Sequence, residues 1–337
     1  MNEPRVRIRD IAEELGLSTA TVSNVIHGKT GKVSDATARR VQQLLEQRRY
    51  IPNMAGILLA QNSSGIIGVA VYDHEKYEGR PLADDFIASA LSELSRQIDR
   101  AGKFMMVKTV RQPDDLIAFA SMWNMEALVL IGFCRQDYAR LRENMRIGLV
   151  AYDAAGDMPS GSCSIGLDDY DGGRQVGRHF RSLGHRRALC IADNDEHVDH
   201  ARRKGFAAGF GPGADFWQIP MDARERLSFY EAHLSALRAY SAVFAVSDVY
   251  ALELMRFLPA HGVRVPQEVS VAGFDDTPAC TRVYPALTSV RQDSRARAVL
   301  ALKRIAQLQS GEPVEPVCRL PVQLIAREST ARPGVSL

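Results

Sequence analysis

A chain of 337 residues, 46% hydrophobic and 24% charged, has the balance of a folded globular protein with room for two or three cores. No run approaches the roughly 18 apolar residues of a membrane helix. The opening MNEPRVRIRD has charges but no hydrophobic signal core, so a cytoplasmic protein is expected. The net charge of +2 is uneven: residues 1–62 hold nine Lys/Arg against six Asp/Glu, and the remainder 33 against 34. A slightly basic head thus precedes a neutral body. Cys134, Cys163, Cys190, Cys280 and Cys318 are scattered without a C-x-x-C spacing, so reduced, mostly buried thiols are expected.

The first predicted element lies in IRDIAEELGLSTATVSNVIHG (8–28). Ile8, Ile11, Ala12 and Leu15 recur at i, i+3, i+4 and i+7, the stripe of an amphipathic helix. Gly16 permits a sharp turn, and Ser18 stands where an N-cap belongs. In the next helix Val22, Val25 and Ile26 are spaced to pack back on the first. Thr19, Ala20, Ser23, Asn24 and His27 then face outward, with the hydroxyl of Thr21 in the same row. Helix, tight turn and helix with a small polar outer face is the helix-turn-helix pattern, whose second helix enters the DNA major groove. An ordinary helical hairpin has the same pattern.

GKTGK (28–32) is a loop that offers Lys29 and Lys32 to phosphates. Ser34 is the N-cap of a third helix, with Asp35 at its positive end and Val41, Leu44 and Leu45 on its apolar face. Pro52 ends this region, and Asn53 caps a short further segment, MAGILLAQ, before the loop NSSG.

From Gly65 the periodicity changes to strands alternating with helices. Apolar runs lie at 65–71, 104–110, 127–133, 146–153, 163–167, 187–193, 216–219, 241–248 and 269–276, with a helical stretch at about 84–101. Such alternation predicts an α/β class of parallel sheets flanked by helices, and around ten strands imply two lobes. Asp153, Asp193, Asp248 and Asp275-Asp276 each close an apolar run, where ligands of parallel sheets bind. Together they predict a polar cleft.

The order of these parts resembles the lac-repressor (LacI/GalR-type) transcriptional regulators. The carriers are D-I-A-E-E-L-G-L-S-x-A-T-V-S, Y-I-P-N, and the later VSVAGFDDTP with LTSVRQD, and the likeness runs through essentially the whole chain. It implies a helix-turn-helix DNA-binding domain at 1–52, a hinge helix and linker at 53–64, and a periplasmic-binding-protein-like effector and dimerisation domain at 65–337. The two lobes would comprise roughly 65–160 plus 288–322 and 161–287 plus 323–331. The implied function is a repressor that binds a double-stranded, pseudo-palindromic operator as a homodimer, under allosteric control by a small sugar or related polyol between the lobes.

By this resemblance Thr19, Ala20 and Asn24 occupy base-reading positions. Asn24 stands where the family commonly has Arg. Because Arg suits guanine and Asn adenine, a changed base preference is expected. Leu59 falls at the position of a minor-groove wedge, and Gly56 weakens its short helix by roughly 1 kcal/mol. Arg202 of R-R-K-G-F, Asp153 and Asp275 match the family's polar effector contacts, and Ser247-Asp248 stands where Asn-Asp is found. Asp and Arg clamp vicinal hydroxyls by charge-assisted hydrogen bonds. Phe133 and Trp217 are candidates to stack on a ring, although core packing suits them equally; Tyr72 joins them as a candidate contact.

Two other classes fit parts of the chain. A solute-binding sensor without a DNA role would share the lobes but not residues 1–62. A metal-dependent hydrolase would use H-V-D-H (197–200), a spacing frequent by chance; no metal, cofactor or catalytic residue is expected. GFGPG (209–213) does not link a strand to a helix, and no nucleophile elbow or phosphate-binding loop occurs. ARPGVSL carries no leucine heptads, so a dimer rather than a tetramer is expected.

Overall fold

The computed structural model describes residues 6–26, 28, 31, 33–50, 64–133, 135–154 and 158–334. The chain divides into two compact units, Met1–Ser64 and Gly65–Leu337. In the first, α1 (Ile8–Leu15), α2 (Thr19–Ile26) and α3 (Asp35–Gln47) enclose a small core of Ile11, Ala12, Val22, Val25, Val41 and Leu44. Gly16 ends α1 at φ 65°, a left-handed conformation that a side chain would strain. Ser18 accepts the backbone N–H of Thr21 at 3.1 Å, and Ser34 that of Thr37 at 3.3 Å, so both act as the N-caps the sequence predicts. Arg48, just past α3, clamps Glu14 of α1 with Nε–O and Nη2–O distances of 3.0 and 2.6 Å.

The second unit contains two sheets. The first has the order β11-β5-β4-β3-β1-β2: β1 Ile66–Tyr72, β2 Phe104–Val110, β3 Ala127–Ile131, β4 Gly148–Tyr152, β5 Ser162–Leu167 and β11 Val317–Leu320. The second has the order β12-β10-β9-β8-β6-β7: β6 Ala188–Ala192, β7 Ala214–Gln218, β8 Ala242–Ala245, β9 Ser270–Asp275, β10 Thr288–Arg291 and β12 Gln323–Ile325. All pairings are parallel except β10 with β12. Central strands such as β3 and β8 are buried along their whole length, as strands covered on both faces must be.

The lobe limits differ from the sequence expectation. β5 pairs with β4, Leu149 opposite Ser162, and so completes the first sheet instead of opening the second. β10 pairs with β9, Thr288 opposite Ala272, and so closes the second sheet instead of returning to the first. The chain therefore changes sheet after Leu167, after Arg291 and after Leu320, at strand ends. Apolar runs do not reveal β10, β11 and β12, because three or four residues carry too little periodicity.

The helices are α4 Asp85–Arg100, α5 Pro113–Met122, α6 Arg135–Asn144, α7 Asp169–Leu183, α8 His197–Phe210, α9 Ala223–Leu237, α10 Asp248–Ala260 and α11 Ser294–Ser310. Ala298, Ala301 and Ile305 of α11 join the first lobe's core. Val176 and Phe180 of α7 and Phe206 and Phe210 of α8 join the second's. α7 and α8 touch through glycines. A Cβ on Gly205 would lie 1.9 Å from Tyr170 O, and one on Gly173 1.9 Å from Arg202 O. No helix among the described residues is long and apolar enough to cross a membrane. Cys163, Cys190, Cys280 and Cys318 are unbridged, and the first three are buried.

Candidate functional site

In the first unit α2 turns Val22 and Val25 into the core, which leaves Ser18, Thr19 and Ala20 exposed and Thr21, Ser23 and Asn24 half-buried. Ser18 and Thr21 also share a hydroxyl–hydroxyl bond of 2.8 Å, so Thr21 supports the cap as well as the outer face. This face is small, polar and uncharged, and can approach a partner's backbone closely. His27, Lys29, Lys32, Asn53 and Leu59, with the MAGILLAQ segment, lie outside the described residues.

In the second unit a cavity of about 300 Å³ lies where carboxyl ends of strands from both lobes face each other. The first lobe contributes Phe133 after β3, Tyr152 and Asp153 at β4, and Lys76, Tyr77 and Asp84 from the loop after β1. The second contributes Asp193 after β6, His197, Asp199 and Arg202 of α8, Ser247 and Tyr250 around the start of α10, and Asp275 at β9. Of the predicted effector residues, the structure gathers Phe133, Asp153, Arg202, Ser247 and Asp275 into this wall.

The three others are placed elsewhere. The carboxylate of Asp248 is buried and accepts from Thr277 N (2.8 Å), Cys280 Sγ (3.0 Å) and Ser289 Oγ (2.5 Å), which ties α10 to the loop after β9 and to β10. Trp217 lies on edge strand β7 against Phe229, His233 and Tyr240. It packs on the second lobe's core, because its side of β7 meets α9 instead of the cleft. Tyr72 stands behind the wall, edge-on to Phe133 at 5.6 Å, and orients that ring rather than meeting the cavity.

Arg202 is 7% exposed, with Nε donating to Asp169 at 2.8 Å and Nη1 to the Val246 carbonyl at 2.7 Å. Its guanidinium lies 3.6 Å from the centre of the Phe274 ring. Burial opposes its charge, but Asp169, Asp275 and Asp199 outweigh that penalty and raise its pKa further. It is a fixed cation with donors toward the cavity.

On the other wall, Asp153 pairs with Arg297 of α11 at 2.6 Å. Arg297 is 1% exposed, lies 4.0 Å over the Tyr152 ring and donates to the Ile165 carbonyl at 2.6 Å. Its Nη1 reaches Gln292 Oε1 at 3.4 Å, and Gln292 Nε2 donates to Asp275 at 2.7 Å. A polar relay behind the cavity thus joins Asp153 of one lobe to Asp275 of the other. Sequence reasoning missed Arg297 and Gln292; the only signal was an arginine on the apolar side of DSRARAVLA.

It also missed Lys76, Tyr77, Asp84, Asp199, Arg226 and Tyr250. Arg226 is consumed by Glu253, with two 2.8 Å contacts, and by the Pro220 and Met221 carbonyls. Burial pushes the Asp199 carboxyl up to about 6, opposed by Arg202. Burial likewise raises Asp84 and lifts Asp275 well above the carboxylate range. Asp153, His197 and Asp275 have positive φ values of 57°, 44° and 119°, so backbone strain gathers at this cleft.

His200 of the H-V-D-H stretch bonds Asp195 at 3.0 Å, while His197 lines the cavity. No group of three or more His, Cys, Asp or Glu able to hold a metal occurs among the described residues.

Residues 7–53 match the family of bacterial regulatory proteins of the lacI type, and residues 178–330 match the periplasmic binding protein-like domain. The lactose operon repressor of Escherichia coli (strain K12) is 27% identical over 98% of this chain and 92% of its own length. The regulator CelR of Thermobifida fusca is 25% identical over 96% of this chain and 98% of its own. Among solved structures, the lac repressor dimer bound to operator and the anti-inducer ONPF superposes with a TM-score of 0.84 at 25% identity, covering 97% of this chain and all of that one. The chain thus joins a LacI-family helix-turn-helix domain to a periplasmic-binding-protein-like domain, and its homologues are LacI/GalR-type regulators.

Proposed function

We propose that the protein is a transcriptional repressor of the cytoplasm, a binder and not a catalyst. As a homodimer it holds a pseudo-palindromic operator and releases it when a small polyol, a sugar or a close relative, enters the cleft. The observation that carries this reading is one polypeptide with both an exposed, small, polar α2 face and a polar cavity between two lobes. The operator-bound dimer of the lac repressor supports the DNA partner and the oligomeric state.

In this reading Thr19, Ala20 and Asn24 meet base edges. Ser18, Thr21, Ser23, His27, Lys29, Lys32 and Asn53 hold sugar-phosphate backbone, and Leu59 opens a central step. Arg202, Asp153 and Asp275 clamp hydroxyls, with Phe133 against the ring and Ser247 at the rim. The effector acts by linkage: it stabilises one arrangement of the two lobes, and that arrangement holds DNA less tightly.

The test is selection of fragmented DNA from the source genome on the purified full chain. A retained palindrome built of two half-sites is expected, and Leu59→Ala should weaken its retention. No sequence enrichment at moderate salt would overturn the reading and leave a sensing protein without a DNA role.

A further inference from the structure

The cations of the cleft are already taken from behind. Arg202 is paired with Asp169, Arg226 with Glu253, and Arg297 with Asp153. Four lining carboxylates remain, Asp84, Asp193, Asp199 and Asp275, and none is in an ion pair among the described residues. Their hydrogen-bond partners are neutral, the Ile87 N–H for Asp84, Asn194 for Asp193 and Asp199, and Gln292 for Asp275, while Arg202 acts on Asp199 and Asp275 through space without forming an ion pair with either. Against them stands one lining cation without a salt bridge among the described residues, Lys76, whose Nζ lies 5.1 Å from the centre of the Tyr77 ring; burial opposes its charge, and Tyr77, Asp193, Asp199 and Asp84 favour it. Lining carboxyl groups therefore outnumber the cations that face them, and they are spread too widely for a metal site among the described residues.

A second, independent feature points to an absent partner. Tyr152 is 3% exposed and lines the cavity, yet its hydroxyl has no hydrogen-bond partner among the described residues. A buried hydroxyl left this way costs about 1–3 kcal/mol, which a ligand that bonds it recovers. Phe133, Tyr152 and Tyr250 supply aromatic surface, attractive to a cation as well as to a sugar ring.

We propose that the cleft selects an amine-bearing polyol, an amino sugar in its ammonium form. Its N–H groups meet the unpaired carboxylates, and its hydroxyls are held by Arg202, Ser247 and the orphaned hydroxyl of Tyr152. This rests on the cleft being the effector site, and it excludes phosphorylated or carboxylated sugars, which would add charge of the wrong sign. Burial holds Asp84, Asp199 and Asp275 toward their protonated forms, and an ammonium group would return them to the ionised state.

The test is calorimetric titration of the full chain with matched pairs: glucose and glucosamine, galactose and galactosamine, mannose and mannosamine. N-acetylglucosamine serves as the uncharged amide control. In at least one pair the amine should bind about tenfold or more tighter than its hydroxyl twin. Asp199→Asn and Asp84→Asn should each narrow that margin, and Tyr152→Phe should weaken the amino sugar several-fold. Neutral sugars binding as tightly as their amines, or no binding by any of the three amines, would overturn the proposal. Operator selection is scored without any ligand, so a failure here leaves the regulator reading standing, while a failure there removes it separately.

Discussion

Arg202 donates to Asp169 at 2.8 Å across two helices whose backbones are in contact. The pair exists because α7 and α8 approach through Gly173, Gly177, Gly205 and Gly209. A Cβ on any of the four would lie within 2.4 Å of a backbone carbonyl oxygen of the facing helix. Backbone cannot yield as a side-chain tip can, so the helices would have to separate and draw Arg202 from Asp169. Gly205→Ala should cost about 2–3 kcal/mol of the body's stability in urea unfolding and weaken any cleft ligand. A variant as stable as the parent would mean that the close approach places nothing.

The two aspartates following β8 and ending β9 look alike in sequence, and the structure gives them opposite tasks. Asp248 is enclosed by donors from Thr277, Cys280 and Ser289, whereas Asp275 faces the cavity. Asp248→Ala strands a buried N–H and a buried hydroxyl, and should cost about 3 kcal/mol. Asp275→Asn removes a charge that burial already disfavours, and should leave stability within about 0.5 kcal/mol. Chemical denaturation of both variants decides the matter, and equal losses would put Asp248 and Asp275 in the same role.

This contrast marks what sequence can carry. Apolar runs located β1 to β9, and the ends of these strands pointed to the cleft, because burial on both faces leaves a hydrophobic signature that stops where ligands bind. They did not say which way a single side chain turns. Trp217 and Tyr250 are both aromatic, yet Trp217 meets α9 and Tyr250 the cavity. Lys76 and Asp84 come from a loop without periodicity. Arg297 is a charge in a core helix, a position that pattern reading assigns to solvent. The capping hydroxyls Ser18 and Ser34, in contrast, follow from local chemistry and were legible.

Asp199 gives the body a pH dependence with a definite sign. Its folded pKa, about 6, exceeds the ordinary value of 3.8, through burial first and then the neighbouring Asp193, against Arg202, Lys76 and the Asn194 amide. The folded state therefore binds the extra proton between those values, and this contribution to stability is present at low pH and lost as pH rises through 6. Asp199→Asn should stabilise the fold over the parent at pH 7.5 by on the order of 1 kcal/mol after screening by water in the cleft, read as a higher thermal midpoint. The difference should vanish near pH 4, where the parent carboxyl is neutral. A gain that is independent of pH would assign the effect to packing.

On the head, Asn24 is half-buried on α2 beside the exposed Thr19 and Ala20. An amide offers one donor and one acceptor side by side, the match for adenine N6 and N7, while a guanidinium matches guanine O6 and N7. Asn24→Arg should shift the selected half-site at one position from adenine toward guanine, worth about 1–3 kcal/mol of discrimination there. It leaves Val22 and Val25 in place, so the head should fold as before. Sequencing the DNA retained by parent and variant measures this directly. A variant that binds all sequences more tightly, with a steeper salt dependence and no change at any base, would mean that residue 24 meets phosphate instead.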